Sequence, residues 1–134
     1  MKRSLALMIV LCIALLPFTS ALAAVKDEIA PMADSIIATA NVSLNSSGVA
    51  SFSVTVYEKA GTIRVTSCRL QKYDNGWVNA GTLSVPSYVA TNLYIYSTTK
   101  DYSSYCSDGG RYRIVVTFSI DGYTKSYTSN SASY

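Results

Sequence analysis

From Ser35 to the C-terminus, apolar side chains recur at every second residue, and turn signals break the pattern about every ten residues. That rhythm fits strands that bury one face and wet the other, and it fits no helix. The clearest case is residues 111–120, RYRIVVTFSI. Tyr112, Ile114, Val116, Phe118 and Ile120 form an apolar comb, while Arg113, Thr117 and Ser119 face out; Val115 is the exception. Phe52, Val54 and Val56 do the same in VASFSVTVYE, against Ser51, Ser53 and Thr55.

The remaining segments are read in the same way. In SIIATANVSL, Ile36, Ala38, Ala40, Val42 and Leu44 alternate with Ile37, Thr39, Asn41 and Ser43. The residues between Ile63 and Leu70 break phase: Ile63 and Val65 share one parity, Cys68 and Leu70 the other. A β-bulge near Thr66-Ser67 would return all four to one side. Asp74-Asn75-Gly76 is the strongest turn signal, because Asn-Gly tolerates the positive φ of a tight hairpin. Trp77 then opens the return strand WVNAGTL, with Tyr73 across the ladder. Lys59-Ala60-Gly61 reads as a turn, and Pro86 as a strand end. In NLYIYS, Leu93 and Ile95 face away from Tyr94 and Tyr96. Residues 98–110 read as a long loop, Asp121-Gly122 as a hairpin, and YTKSYTSNSASY as a polar edge strand.

The first residues follow another logic. A short basic start, an apolar run from Leu5 to Leu16, Pro17 and then Ala21-Leu22-Ala23 make a secretory signal peptide cut after Ala23. Twelve helical residues reach about 18 Å, short of the roughly 30 Å of a bilayer core. A lipoprotein signal at Cys12 is disfavoured by Leu11 before it, where a small residue would stand. The expected organisation is a signal peptide over 1–23, a polar lead-in over 24–34, and one β-domain over 35–134. No span of membrane is expected after the signal.

Taking Lys2 and Arg3 from the 11 basic residues leaves nine, against eight acidic ones. A nearly neutral domain offers no broad field for nucleic acid. Histidine is absent, which removes the commonest general base and metal ligand. No cofactor or metal is expected. Asp74, Asp108 and Asp121 each lie in a turn signal, which accounts for them without calcium. Two cysteines remain in the exported part, Cys68 and Cys106. In an oxidising compartment they are expected to form one disulfide, with two buried thiols as the alternative. The architecture implied is all-β: an immunoglobulin-like antiparallel β-sandwich of about seven strands, preceded by a signal peptide.

The stretches SIIATANVSLNSSGVASFSVTV, SCRLQKYDNGWVNAG and GGRYRIVVTFSIDGYTKSYTSNS resemble an uncharacterised family of small exported proteins of Gram-positive bacteria, chiefly clostridia and relatives. The resemblance covers about residues 35–134. It implies the fold and secretion, and it assigns no catalytic or binding residue.

Four aromatics are candidates for ligand contact: Trp77 and Tyr73 beside the hairpin tip, and Tyr102 and Tyr105 in the long loop. The alternative for Trp77 is that it closes the end of the sandwich or caps the Cys68 region; for the tyrosines, it is cross-strand pairing. The expected function is that of a non-catalytic extracellular binding module, taking a glycan, peptide or protein. A self-associating surface protein is the second expectation and a small hydrolase the third.

Overall fold

The computed structural model describes residues 33–134; the signal peptide and most of the lead-in lie outside the described residues. After a single helical turn, α1 (Ala33–Ile36), the chain makes seven strands: β1 (Ile37–Leu44), β2 (Val49–Tyr73), β3 (Trp77–Thr82), β4 (Ala90–Asp101), β5 (Arg111–Ile120), β6 (Tyr123–Thr128) and β7 (Ala132–Ser133). All pairings are antiparallel. The all-β architecture is therefore the one the alternation implies. Among the described residues no helix is long and apolar enough to cross a membrane.

The organising element is β2. It runs for 25 residues, where strands of 3–10 are usual and about five or six most common. Along one side it pairs first with β1 and then with β5; along the other, first with β4 and then with β3. The expected turn at Lys59-Ala60-Gly61 is instead a corner inside this strand. Register slips between Thr55 and Ala60 opposite β4, so Tyr57, Glu58 and Lys59 bulge outward while Ala60 stays buried. A strand that passes from one half-sheet to the other through such a bulge lets both halves cover one interior. Phe52 and Val54 from the first half and Ile63, Ile114 and Phe118 from the second join a single buried cluster.

The corner is held by the hairpin after β5. Asp121 and Gly122 have φ of 49° and 89°, the paired positive values of a two-residue turn. This turn brings the Asp121 carboxylate to the backbone N–H groups of Gly61 (3.0 Å) and Thr62 (2.7 Å), and Asp121 N–H donates to the Thr62 carbonyl. These bonds satisfy backbone groups that lie between the end of β1 and the start of β5.

Two local phase breaks set which residues point inward. Between Val65 and Ser67 the register with β5 shifts by one residue, leaving Thr66 as the bulge. Ile63, Val65, Cys68 and Leu70 are consequently all buried, as the sequence requires. A second slip, between Ile37 and Thr39, puts Ile37 inside together with Val42 and Leu44. In β4 the expected outward placement fails for Tyr96, which is fully buried, and holds for Tyr94, which is 48% exposed; Leu93 and Ile95, expected on the other side, are 44% and 54% exposed. Tyr96 packs edge-on against Phe118, and Tyr88 covers it from the preceding loop. Its hydroxyl finds no partner among the described residues, and burial pushes it up to about 12.

The C-terminal segment closes the end of the molecule opposite the corner. Asn130 accepts from Leu44 N–H (3.0 Å) and donates to the Leu44 carbonyl (2.8 Å), so its side-chain amide imitates a ladder residue beside β1. Tyr134 stacks edge-on with Tyr112 and its hydroxyl donates to the Asn45 carbonyl.

The β1–β2 turn is the tightest approach. Gly48 has φ of +84°, and a Cβ there would stand 2.3 Å from Ser103 Cα. Gly48→Ala is expected to cost about 2–4 kcal/mol, combining a left-handed backbone with a clash that side-chain motion cannot relieve. Gly122→Ala, with φ of +89° but open space around it, should cost only about 1–2 kcal/mol. Chemical denaturation of the two variants measures the difference; equal losses would mean that the contact with Ser103 is absent.

Candidate functional site

The hairpin at the far end of β2 builds a cluster on the outward face. Asp74, Asn75 and Gly76 form a three-residue turn, with Asn75 at φ 50° and Tyr73 directly opposite Trp77. Alternation sends Leu70 inward and Gln71 and Tyr73 outward on β2, while Tyr112 and Ile114 point in and Arg111 and Arg113 point out on β5. Trp77 and Asn79 complete the surface from β3. Three neighbouring strands thus place two aromatics, two guanidiniums and two amides together.

The contacts within this group are specific. Trp77 and Tyr73 meet edge to face at 5.4 Å between ring centroids, inclined at 70°. The Arg113 guanidinium lies 4.2 Å from the Trp77 ring centroid, and its Nε donates to Gln71 Oε1 at 2.8 Å. Gln71 in turn donates to Asn79 Oδ1 (3.3 Å). Arg111 lies over both rings, 5.4 Å from Tyr73 and 5.9 Å from Trp77, and donates to Ser131 Oγ. Each cation–π contact at a surface contributes about 0.5–1 kcal/mol, and the aromatic pair about 0.5–1.5 kcal/mol. Those energies are enough to hold the guanidinium planes against the rings instead of leaving them to sweep through solvent.

Trp77 therefore does not cover Cys68. The two lie on opposite faces: Cys68 is fully buried in the ladder opposite Val116, while Trp77 is half-exposed outside. Arg113 occupies one face of the indole, which a ligand ring would otherwise use.

The other two candidate aromatics separate from this pair. Tyr102 is a core residue, 1% exposed, and its hydroxyl donates to the Ser84 carbonyl at 2.7 Å. It has no ring surface to offer a ligand. Tyr105 is half-exposed and contacts Tyr102 at 6.3 Å, edge-on. No ring contact among the described residues joins them to Trp77 or Tyr73. The expected long loop is also shorter, because β4 continues through Asp101 and a 3-10 turn, Ser103–Tyr105, follows. Asp101 opens that turn by accepting from Ser103 N–H at 2.8 Å, a bond that lowers its pKa.

The expected Cys68–Cys106 disulfide is not formed; both are free, buried thiols. Each faces a different tyrosine: Cys68 lies beside Tyr102, and Cys106, just after the 3-10 turn, beside Tyr134. Burial pushes both thiols up, outweighing the opposing influence of the tyrosine hydroxyl beside each.

A cleft of about 420 Å³ lies at the corner of β2, lined by Tyr57, Glu58, Lys59 and Asp121 among others. Its Asp121 carboxylate is already engaged by Gly61 and Thr62. Sequence reasoning did not anticipate this cleft, since Lys59-Ala60-Gly61 looks like an ordinary turn. Arg111 and Arg113 were also missed as site residues; the signal for them was their shared parity on β5, on the face opposite the apolar comb.

No family model matches the chain, and no curated protein or solved structure shows significant similarity to it.

The thiol state can be counted directly. The purified domain should titrate two thiols with an aromatic disulfide reagent in guanidinium, and react slowly in its folded form, where raised pKa and burial both suppress thiolate. A count of zero in denaturant would show a bridge.

Proposed function

We propose that this is a secreted, non-catalytic β-sandwich that acts outside the cell as a binding module, akin to the exported Gram-positive family it resembles. The observation that carries the reading is the outward Trp77–Tyr73–Arg111–Arg113 cluster. Trp, Tyr and Arg dominate the energetics of binding surfaces. Here they are immobilised by one another on a rigid sheet, so little side-chain freedom remains to be lost on binding.

Other features support parts of the reading. The basic, apolar and small-residue regions of positions 1–23 follow the pattern of an export signal. Shielded thiols are compatible with an oxidising compartment, because a buried thiol with a raised pKa reacts slowly. The carboxylates of Asp101 and Asp121 serve as backbone acceptors, a structural use that suits a scaffold.

An array of cell-wall polysaccharides, host glycans and peptides tests the proposal. At least one ligand class should bind, and Trp77→Ala should weaken it by about thirtyfold, the loss of a hot spot worth about 2 kcal/mol. An array with no signal above background, or with signals indifferent to Trp77, would count against it.

A second reading is self-association. It is favoured by the exposed apolar run Leu93-Tyr94-Ile95 on β4, next to Tyr57, which is 66% exposed on the β2 bulge. Such surfaces invite another copy. Light scattering over a concentration series should then show growth in mass that Ile95→Lys abolishes; a monomer throughout would remove this reading.

A further inference from the structure

The geometry points to an acidic polysaccharide, a polymer carrying ring carboxylates, as the partner of the Trp77 face; the inference rests on that face being the binding surface proposed above. Three observations carry it. The first is charge. Arg69, Arg111 and Arg113 share the outward face of β2 and β5, and the acidic residues nearest them in the chain are Asp108, three residues before Arg111, and Asp74 in the hairpin turn. The hydrogen-bond partners of both cluster guanidiniums are neutral, Gln71 for Arg113 and Ser131 for Arg111. Among the described residues neither forms an ion pair, in a domain that as a whole is close to neutral.

The second is the orientation of the forks. Stacking on Trp77 fixes the Arg113 plane, and the bond from Nε to Gln71 fixes its rotation. With Nε engaged, the two terminal amino groups remain as the edge that grips a carboxylate with two parallel hydrogen bonds. Arg111 sits two residues away on the same strand, roughly 6.7 Å along its axis; one of its terminal amino groups is spent on Ser131 Oγ, so it adds a second positive charge beside the fork of Arg113.

The third is the surroundings. Gln71 and Asn79 present amides that suit ring hydroxyls, and Tyr73, 47% exposed, offers a ring surface to the C–H face of a sugar. The face is an open sheet crossed by β3, β2 and β5, which suits an extended polymer. An acidic peptide shares the carboxylates but has no need of the amide and aromatic margin.

The test compares polygalacturonate, a neutral galactan and polyglutamate by titration calorimetry with the mature domain. Polygalacturonate should bind with affinity that falls as salt rises, and Arg113→Gln and Arg111→Gln should each weaken it by about tenfold or more, the loss of a charge-assisted bond. Arg113→Lys, which keeps the charge but loses the fork, should recover only part of the affinity. Arg64→Gln removes the same charge near the corner, beside Ser119, and should leave binding within about twofold, as expected for a remote exposed charge. Circular dichroism of each variant checks the fold. Binding to the neutral galactan that depends on Trp77 but not on the arginines would overturn the acidic assignment and leave the binding face standing. Equal, arginine-dependent binding of polyglutamate would overturn the glycan assignment. A Trp77-indifferent array would overturn both.

Discussion

One strand makes this protein a single object. Because β1, β3, β4 and β5 all hydrogen-bond to β2, the two half-sheets are not separate layers pressed together but one ribbon folded over itself. The fold can close only if β2 turns its corner at residues 57–62 without leaving backbone groups stranded. Asp121 meets that demand, placing a carboxylate where two consecutive N–H groups lie between the end of one ladder and the start of the next. The acid is far from the corner in sequence, and it arrives there because a two-residue hairpin with both φ values positive ends β5 at that point.

The same ribbon explains why the outward cluster is well ordered. Beneath Arg111 and Arg113 lie Tyr112 and Ile114, and beneath Gln71 lies Leu70, all buried. The surface side chains are the other half of an alternation whose inner half is packed against a full core. A one-residue slip anywhere along this ladder would exchange the two sets. The bulge at Thr66 is therefore as much a part of the site as Trp77, since it brings Leu70 inward and Gln71 outward after Val65.

Much of this was legible in the residues. The apolar comb of β5, the Asp74–Gly76 hairpin and the phase slip at Thr66 are local signals, and each is found where its chemistry places it. What was missed depends on tertiary context. Tyr96 and Ile95 have similar β-propensity, and only the space beside Phe118 decides that the larger ring goes in. Lys59-Ala60-Gly61 has turn composition, yet the ladder to β4 on one side and Asp121 on the other keep the chain extended. Cys68 and Cys106 suggested a bridge by compartment alone, but each is enclosed by its own tyrosine. The Trp77 site was half visible: the aromatics stood out beside the turn, while the arginines that complete it are distant in sequence and joined only through the β2–β5 register.

The shared strand also governs how the molecule comes apart. In two sheets joined by loops, one could loosen while the other held. Here β2 is paired on both flanks over residues 50–55 and 69–72, and the less fully paired stretch between them is continuous with both, so opening either end loosens ladders shared with the other. Native-state hydrogen exchange along residues 50–56 and 63–72 should accordingly report one foldon, with protection collapsing together. Its nucleus must join segments far apart in the chain, such as Ile63 with Ile120, which makes for a slow folder with a high contact order.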